Sequence, residues 1–219
     1  MGLDALRQKI LLMASRAETA VNESVQALVQ RDYDLAVQVR KDDEIIDRFE
    51  IEIDEMAIVL LTKAPLASNL RLITVAMKVS QNLERIGDEA TKIAKRARDL
   101  AQEPPVKINL DVNRMASLSL AMVKDALDAF VHRDTAAARA LIPRDREVDA
   151  LNKQIHQQLA EHMMANPDTI ARCLHWIVAS KSLERIADHA KNIAEEVVYL
   201  YEAQDIRHTA GKVANQTPG

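Results

Sequence analysis

The stretch LITVAMKVSQNLERIGDEATKIAKRARDL, Leu72 to Leu100, decides the fold. Within it Leu72, Val79, Leu83, Ile86, Ala90, Ile93, Ala97 and Leu100 recur at spacings of three, four and seven. That period lays the apolar residues in one stripe along a helix, and such a stripe must be covered by neighbouring helices. Upstream, Leu35, Val39, Ile46, Phe49, Ile53, Met56 and Leu60 keep the same alternation, interrupted only at Asp42.

Composition agrees. Of 219 residues 48% are hydrophobic but only 3% aromatic, with four Gly and six Pro. A β-sandwich or barrel needs strand aromatics and turn glycines, so an all-β fold is excluded. The Gly-rich turns of a nucleotide-binding α/β fold are missing too. The charge is 29 basic against 33 acidic residues, net −4, which points away from nucleic acid as a partner. The single cysteine, Cys173, has no internal disulfide partner, which fits a reducing cytosol. The start reads as no signal peptide. The longest apolar runs, such as Ala57 to Leu61, fall far short of the roughly 20 residues a spanning helix needs. The expectation is a soluble, cytoplasmic chain that can dock on a membrane protein.

Pro65, Pro104-Pro105 and Pro167 punctuate the chain, with polar turns at Arg31-Asp32 and Arg133-Asp134. Six helices are expected over 3–30, 34–62, 66–101, 107–132, 135–164 and 167–204. Pro143 should kink the fifth. Asn166-Pro167 reads as an N-cap followed by Pro at the first helical position. Short connections make sequential helices antiparallel neighbours.

The chain also repeats itself. Leu28-Val-Gln-Arg-Asp32 matches Phe130-Val-His-Arg-Asp134, and Asp43-Glu-Ile-Ile-Asp47 matches Asp145-Arg-Glu-Val-Asp149. Leu83-Glu-Arg-Ile-Gly-Asp88 matches Leu183-Glu-Arg-Ile-Ala-Asp188. The expected architecture is all-α: two tandem antiparallel three-helix bundles related by internal duplication, end to end. The first spans 1–103, the second 106–207, and 208–219 form a flexible tail.

Four carboxylate pairs stand one helical turn apart: Asp43/Asp47, Glu84/Asp88, Asp145/Asp149 and Glu184/Asp188. Composition alone gives about five such pairs, and the chain has six, so their number carries no weight. Their placement does: these four fall at matching positions of both repeats, on the second and third helices. Each lies beside the apolar seam and can reach the groove between those helices. Two like charges about 6 Å apart repel by roughly 3 kcal/mol at an effective dielectric of 20. Four in one groove raise their pKa values or recruit cations. All-oxygen ligands suit Mg²⁺, Ca²⁺, Mn²⁺ or iron, and carboxylates that bridge can hold several ions. The plainer alternative is ion pairing with Arg85, Lys92, Arg185 and Lys191.

Gly87, between Glu84 and Asp88, admits a close approach, or is drift at a tolerant site; its counterpart is Ala187. No histidine follows a Glu at the Glu-x-x-His spacing of bundle di-iron enzymes. His189 points about 100° from Asp188 and reads as a flank residue. Cys173 reads as buried and inert. Lys92, Lys95, Arg96 and Arg98 form a solvated basic face or a docking face for an acidic partner.

The stretches Pro65-Leu-Ala-Ser-Asn-Leu-Arg-Leu-Ile73, Asn82-Leu-Glu-Arg-Ile-Gly-Asp88 and Ser182-Leu-Glu-Arg-Ile-Ala-Asp-His-Ala-Lys-Asn-Ile-Ala-Glu195 resemble the PhoU family. The resemblance runs from about Leu6 to Asp205. It implies two three-helix bundles with acidic metal motifs, here Asp43, Asp47, Glu84 and Asp88, then Asp145, Asp149, Glu184 and Asp188. It implies multinuclear metal clusters, iron first, with zinc, manganese, magnesium or calcium as alternatives. It also implies a non-enzymatic, cytoplasmic, dimeric negative regulator of the phosphate-starvation response. The expected partners are the ATPase subunit of the phosphate ABC transporter and its sensor histidine kinase. The first repeat carries Glu89 where the family commonly has His, and the second lacks an equivalent of Asn69-Leu-Arg71. The rival readings are a carboxylate-bridged metal-dependent enzyme, an accessory protein of another phosphate carrier, and a purely structural scaffold.

Overall fold

The computed structural model describes residues 2–63 and 66–207. Pro65, His208 and the expected tail lie outside the described residues. Among the described residues, seven α-helices and two short 3-10 turns account for the regular structure. They are α1 (Gly2–Gln30), α2 (Tyr33–Leu61), α3 (Ala67–Ala101), α4 (Val112–His132), α5 (Thr135–Leu141), α6 (Asp145–Ala165) and α7 (Ile170–Glu202). The chain is all-α, as its period requires.

The Arg-Asp turns are built alike. Arg31 and Arg133 leave their helices in the left-handed conformation, at φ 58° and 59°. The next residue both closes and opens a helix. The N–H groups of Asp32 and Asp134 donate back to Ala27 and Ala129 carbonyls at 3.0 Å. Their carboxylates accept from the Leu35 and Ala137 N–H groups at 3.0 and 2.9 Å. One residue thus ends one helix and caps the next. Pro143 splits the fifth rod: Ile142–Arg144 tighten into a 3-10 turn between α5 and α6.

Two expectations about where helices begin need correction. The fourth helix starts at Val112, not near 107. Val106, Ile108 and Leu110 are half-buried and alternate with exposed Lys107, Asn109 and Asp111, a period-two segment lying along the core. Asn166 does precede a Pro at the first position of a 3-10 turn, but its side chain makes no N-cap bond. Its amide donates back to the His162 carbonyl at 3.1 Å.

In the first half, α1 and α2 pack on α3; in the second, α4, α5 and α6 pack on α7. The halves do not stand end to end. α3 and α7 lie antiparallel against each other along their length. Lys78 meets Glu196 at 3.1 Å, Asn82 meets His189 at 3.0 Å, Glu89 meets Arg185 at 3.3 Å and Arg96 meets His175 at 3.3 Å. Residue numbers rise on one helix as they fall on the other. α3 buries Val75, Glu89 and Ala94 besides its quoted stripe, so a second face is covered. One contiguous apolar core runs through both halves.

Candidate functional site

Each carboxylate pair falls on a helix that faces its partner. In the first half α2 carries Asp43 and Asp47, and α3 carries Glu84 and Asp88. In the second, Asp145 opens α6 one turn before Asp149, and α7 carries Glu184 and Asp188. Gly87 is what lets α2 and α3 close. A Cβ built there would stand 2.8 Å from Ile46 Cδ1 and 3.6 Å from Asp43 Oδ1. The acidic side chain therefore lies directly over the glycine.

The carboxylates of each half feel one another. Burial, reinforced by Asp88, pushes the Glu84 carboxyl up to about 6. Burial raises Asp43 as well; a hydrogen bond from Thr91 opposes the rise, while Asp47 and Asp88 add to it. In the second half burial, then Asp145 and Glu184, lifts Asp188 to about 6. Asp149 is raised by burial and by the same two neighbours. The structure thus brings together the four acids read from the sequence in each half.

Some of this charge is answered by ion pairs. Arg85 lies 3.4 Å from Glu84 and 3.6 Å from Asp88. Lys191 donates to Asp145 Oδ2 at 2.8 Å and stands 3.9 Å from Asp188. Lys181 donates to Glu184 at 2.7 Å. Lys92 and Arg185 instead grip Glu89, at 2.8 and 3.3 Å. Glu89 is 4% exposed and ties the two halves rather than joining the acids.

The acidic set of the first half is larger than expected. Burial and the charges of Asp54 and Asp47 raise Glu50, which in turn acts on Glu84. Its signal was present in the spacing, since Asp43, Asp47, Glu50 and Asp54 follow steps of four, three and four. The corresponding second-half residue is Asn152, buried at 8% exposure, whose Oδ1 has no hydrogen-bond partner among the described residues. The first cluster therefore carries five acids around Arg85, the second four acids around Lys181 and Lys191.

The donors suit a hard cation: every one is a carboxylate oxygen, crowded by its own kind. Asp145 is 6% exposed, and its buried Oδ1 lacks a partner among the described residues, an acceptor a cation would satisfy. Among the described residues, no three His, Cys, Asp or Glu side chains already close around a single point. Arg85, Lys181 and Lys191 stand among the acids, and a cation has to compete with these.

The remaining candidates take other roles. His189 Nδ1 faces Asn82 Oδ1 at 3.0 Å across the α3–α7 seam. Cys173 is fully buried, 3.6 Å from the Thr169 hydroxyl. Three members of the basic group are engaged: Lys92 with Glu89, and Arg96 and Arg98 with Asp99. Only Lys95 is left as a solvated base. Among the described residues no helix is long and apolar enough to cross a membrane.

Comparison with known proteins gives a family. The PhoU domain matches residues 10–97 and 112–197. The phosphate-specific transport system accessory protein PhoU homolog of Pseudomonas putida is 42% identical over 208 residues, 94% of this chain and 81% of that protein. The Escherichia coli K12 protein of the same kind is 32% identical over 210 residues, 95% of this chain and 87% of its own. The crystal structure of PhoU from Pseudomonas aeruginosa superposes with a TM-score of 0.90 at 41% identity, covering 93% of this chain and 98% of that one. The phosphate transport system regulatory protein PhoU from Streptococcus pneumoniae gives 0.86 at 25% identity, covering 93% and 97%.

Proposed function

The chain belongs to the PhoU family, and from that premise we propose that it is a non-enzymatic adaptor regulating phosphate uptake. Its relatives are named as accessory proteins of the phosphate-specific transport system. In this reading the chain works at the cytoplasmic face of the membrane, as a homodimer. It links the transporter's ATPase subunit to a sensor histidine kinase and restrains the starvation response while phosphate is plentiful.

The observation that carries the mechanism is the duplicated convergence of acids. Asp43, Asp47, Glu84 and Asp88 would hold one set of cations, with iron first in order, and Asp145, Asp149, Glu184 and Asp188 the other. Bound cations would supply positive charge that relieves the mutual repulsion of the carboxylates. The residues themselves do the rest: α2 is held against α3 at Gly87, and α6 against α7. The outward faces of α2 and α6 then keep a fixed position for a partner. Exposed Ile51 and Ile58, one heptad apart on α2, give that face an apolar component.

The test is metal analysis of the dialysed protein together with capture of its partners. Asp47→Asn with Asp88→Asn should lower bound metal, and unchanged content rejects the first cluster. The transporter ATPase and the kinase domain should each be retained by the immobilised protein. Absence of both at high and at low phosphate rejects the adaptor.

A further inference from the structure

A cavity of about 680 Å³ opens where the N-termini of α1 and α3 meet the C-termini of α2, α4 and α7. Four cationic side chains line it: Arg7, Lys63, Arg71 and Arg133. Asp4 is the acid among its lining residues. Lys63 and Arg133 sit just past the ends of α2 and α4, where a cation complements the helix dipole. That accounts for each of them alone but not for four cations converging from different elements.

Ser68 and Asn69 add the first turn of α3 to the wall. Leu66 precedes that helix without any side-chain cap bond. The Asn69 and Leu70 N–H groups donate back to the Leu66 carbonyl, at 3.0 and 3.1 Å, so what this wall offers an anion is the positive end of the helix dipole. The Asn69-Leu-Arg71 stretch, which has no counterpart in the second repeat, contributes two of the lining residues.

The duplication shows what such a corner accepts. In the corresponding corner of the other half, the chain between α3 and α4 runs across the opening. There Arg31, the counterpart of Arg133, donates to the Glu103 carbonyl, and Arg172, near the start of α7, donates to the Pro104 carbonyl at 3.1 Å. Each guanidinium thus has a carbonyl of the crossing chain to donate to, and Arg172 also reaches Asp168 Oδ2 at 3.2 Å. Among the described residues the chain leaving α7 gives no such cover: it turns back so that Arg207 meets Glu196 at 3.6 Å. Arg71 keeps one long bond, 3.4 Å to the Leu200 carbonyl, and lies 5.9 Å from the Tyr199 ring. Arg133 lies 5.9 Å from the Tyr201 ring.

We propose that this cavity binds a small oxyanion of the phosphate class carrying two or more negative charges. Its oxygens take the place that backbone carbonyls hold in the other half. The site is distinct from the carboxylate clusters and does not depend on the adaptor reading.

Calorimetric titration of the full chain with inorganic phosphate and with tripolyphosphate tests it. Both should bind saturably, the longer anion more tightly. Arg71→Gln with Arg133→Gln should weaken tripolyphosphate about tenfold or more, the size expected on losing charge-assisted hydrogen bonds. Because Arg71 also packs on Tyr199, Arg7→Gln with Lys63→Gln provides a second pair, which should weaken binding in the same way. Asp47→Asn with Asp88→Asn should leave it unchanged. No saturable binding, equal affinity in either basic-residue variant, or loss only in the aspartate variant would overturn the proposal.

Discussion

Gly87 and Ile46 show how a single methylene is shared across the helix pair that carries the acids. In the second half Ala187 and Val148 stand at the matching positions, both fully buried. One half puts the smaller residue on the third helix and the larger on the second; the other half shifts one carbon across. Gly87→Ala gains about 1 kcal/mol of helix propensity but drives its Cβ to 2.8 Å from Ile46 Cδ1. Overpacking of that kind costs about 1–3 kcal/mol, so the single variant should lose stability. Adding Ile46→Val, as in the second half, should bring it back to within about 0.5 kcal/mol of the parent, a non-additive pair. Urea unfolding of the four proteins checks this, and simple additivity would contradict it.

The raised carboxyls make a second statement at the same scale. Glu84 and Asp188 bind their protons more tightly in the folded chain than their ordinary values of 4.5 and 3.8 allow. Their contribution to stability is therefore full below those values and lost as pH rises through about 6. In the presence of a chelator, Glu84→Gln with Asp188→Asn should gain on the parent in melting temperature as pH rises from about 4 to 7. A constant gap across that window would contradict the crowding of these acids.

Among the elements, the turns were legible because each has a local chemical cause. Arg-Asp at 31–32 and 133–134 and the break at Pro143 fall where the residues put them. The start of α4 was missed although the alternation of Val106, Ile108 and Leu110 was there to read; a short period-two segment was absorbed into the helical period after it. Asn166 misled because its amide nitrogen donates to the His162 carbonyl behind it while its side-chain oxygen accepts no N–H from the turn ahead. At the end of α7, Ala203 adopts φ 59°, and its N–H donates to the Tyr199 carbonyl at 3.0 Å. A left-handed Cβ costs about 1–2 kcal/mol, partly offset by the larger chain entropy of glycine. Ala203→Gly should raise unfolding stability by about 0.5–1 kcal/mol, and a loss in denaturant titration would contradict that strain.

For the whole molecule, the repeats revealed two related halves but not how they meet. The residues that join them, Lys78, Glu89, Arg185 and Glu196, are charged and look like solvent-facing positions in sequence. Their role appears only when α3 and α7 come together and each finds a partner of opposite sign. The duplication marked the four acids of each half twice; Glu50, although its step along α2 fits, was marked only once, because its counterpart is Asn152 and the match fails there. A core continuous through both halves should unfold as one. Scanning calorimetry should show a single transition with calorimetric and van't Hoff enthalpies in agreement. Two resolved transitions would mean that the α3–α7 contact does not couple the halves.

In the function proposed above, acids from neighbouring helices gather positive ions once in each half. The most direct measurement is anomalous diffraction at metal absorption edges from crystals of the protein as purified. The expected result is a peak between α2 and α3 beside Asp43, Asp47, Glu84 and Asp88, and another between α6 and α7 beside Asp145, Asp149, Glu184 and Asp188. Well-ordered carboxylates with no anomalous peak at either place would contradict it.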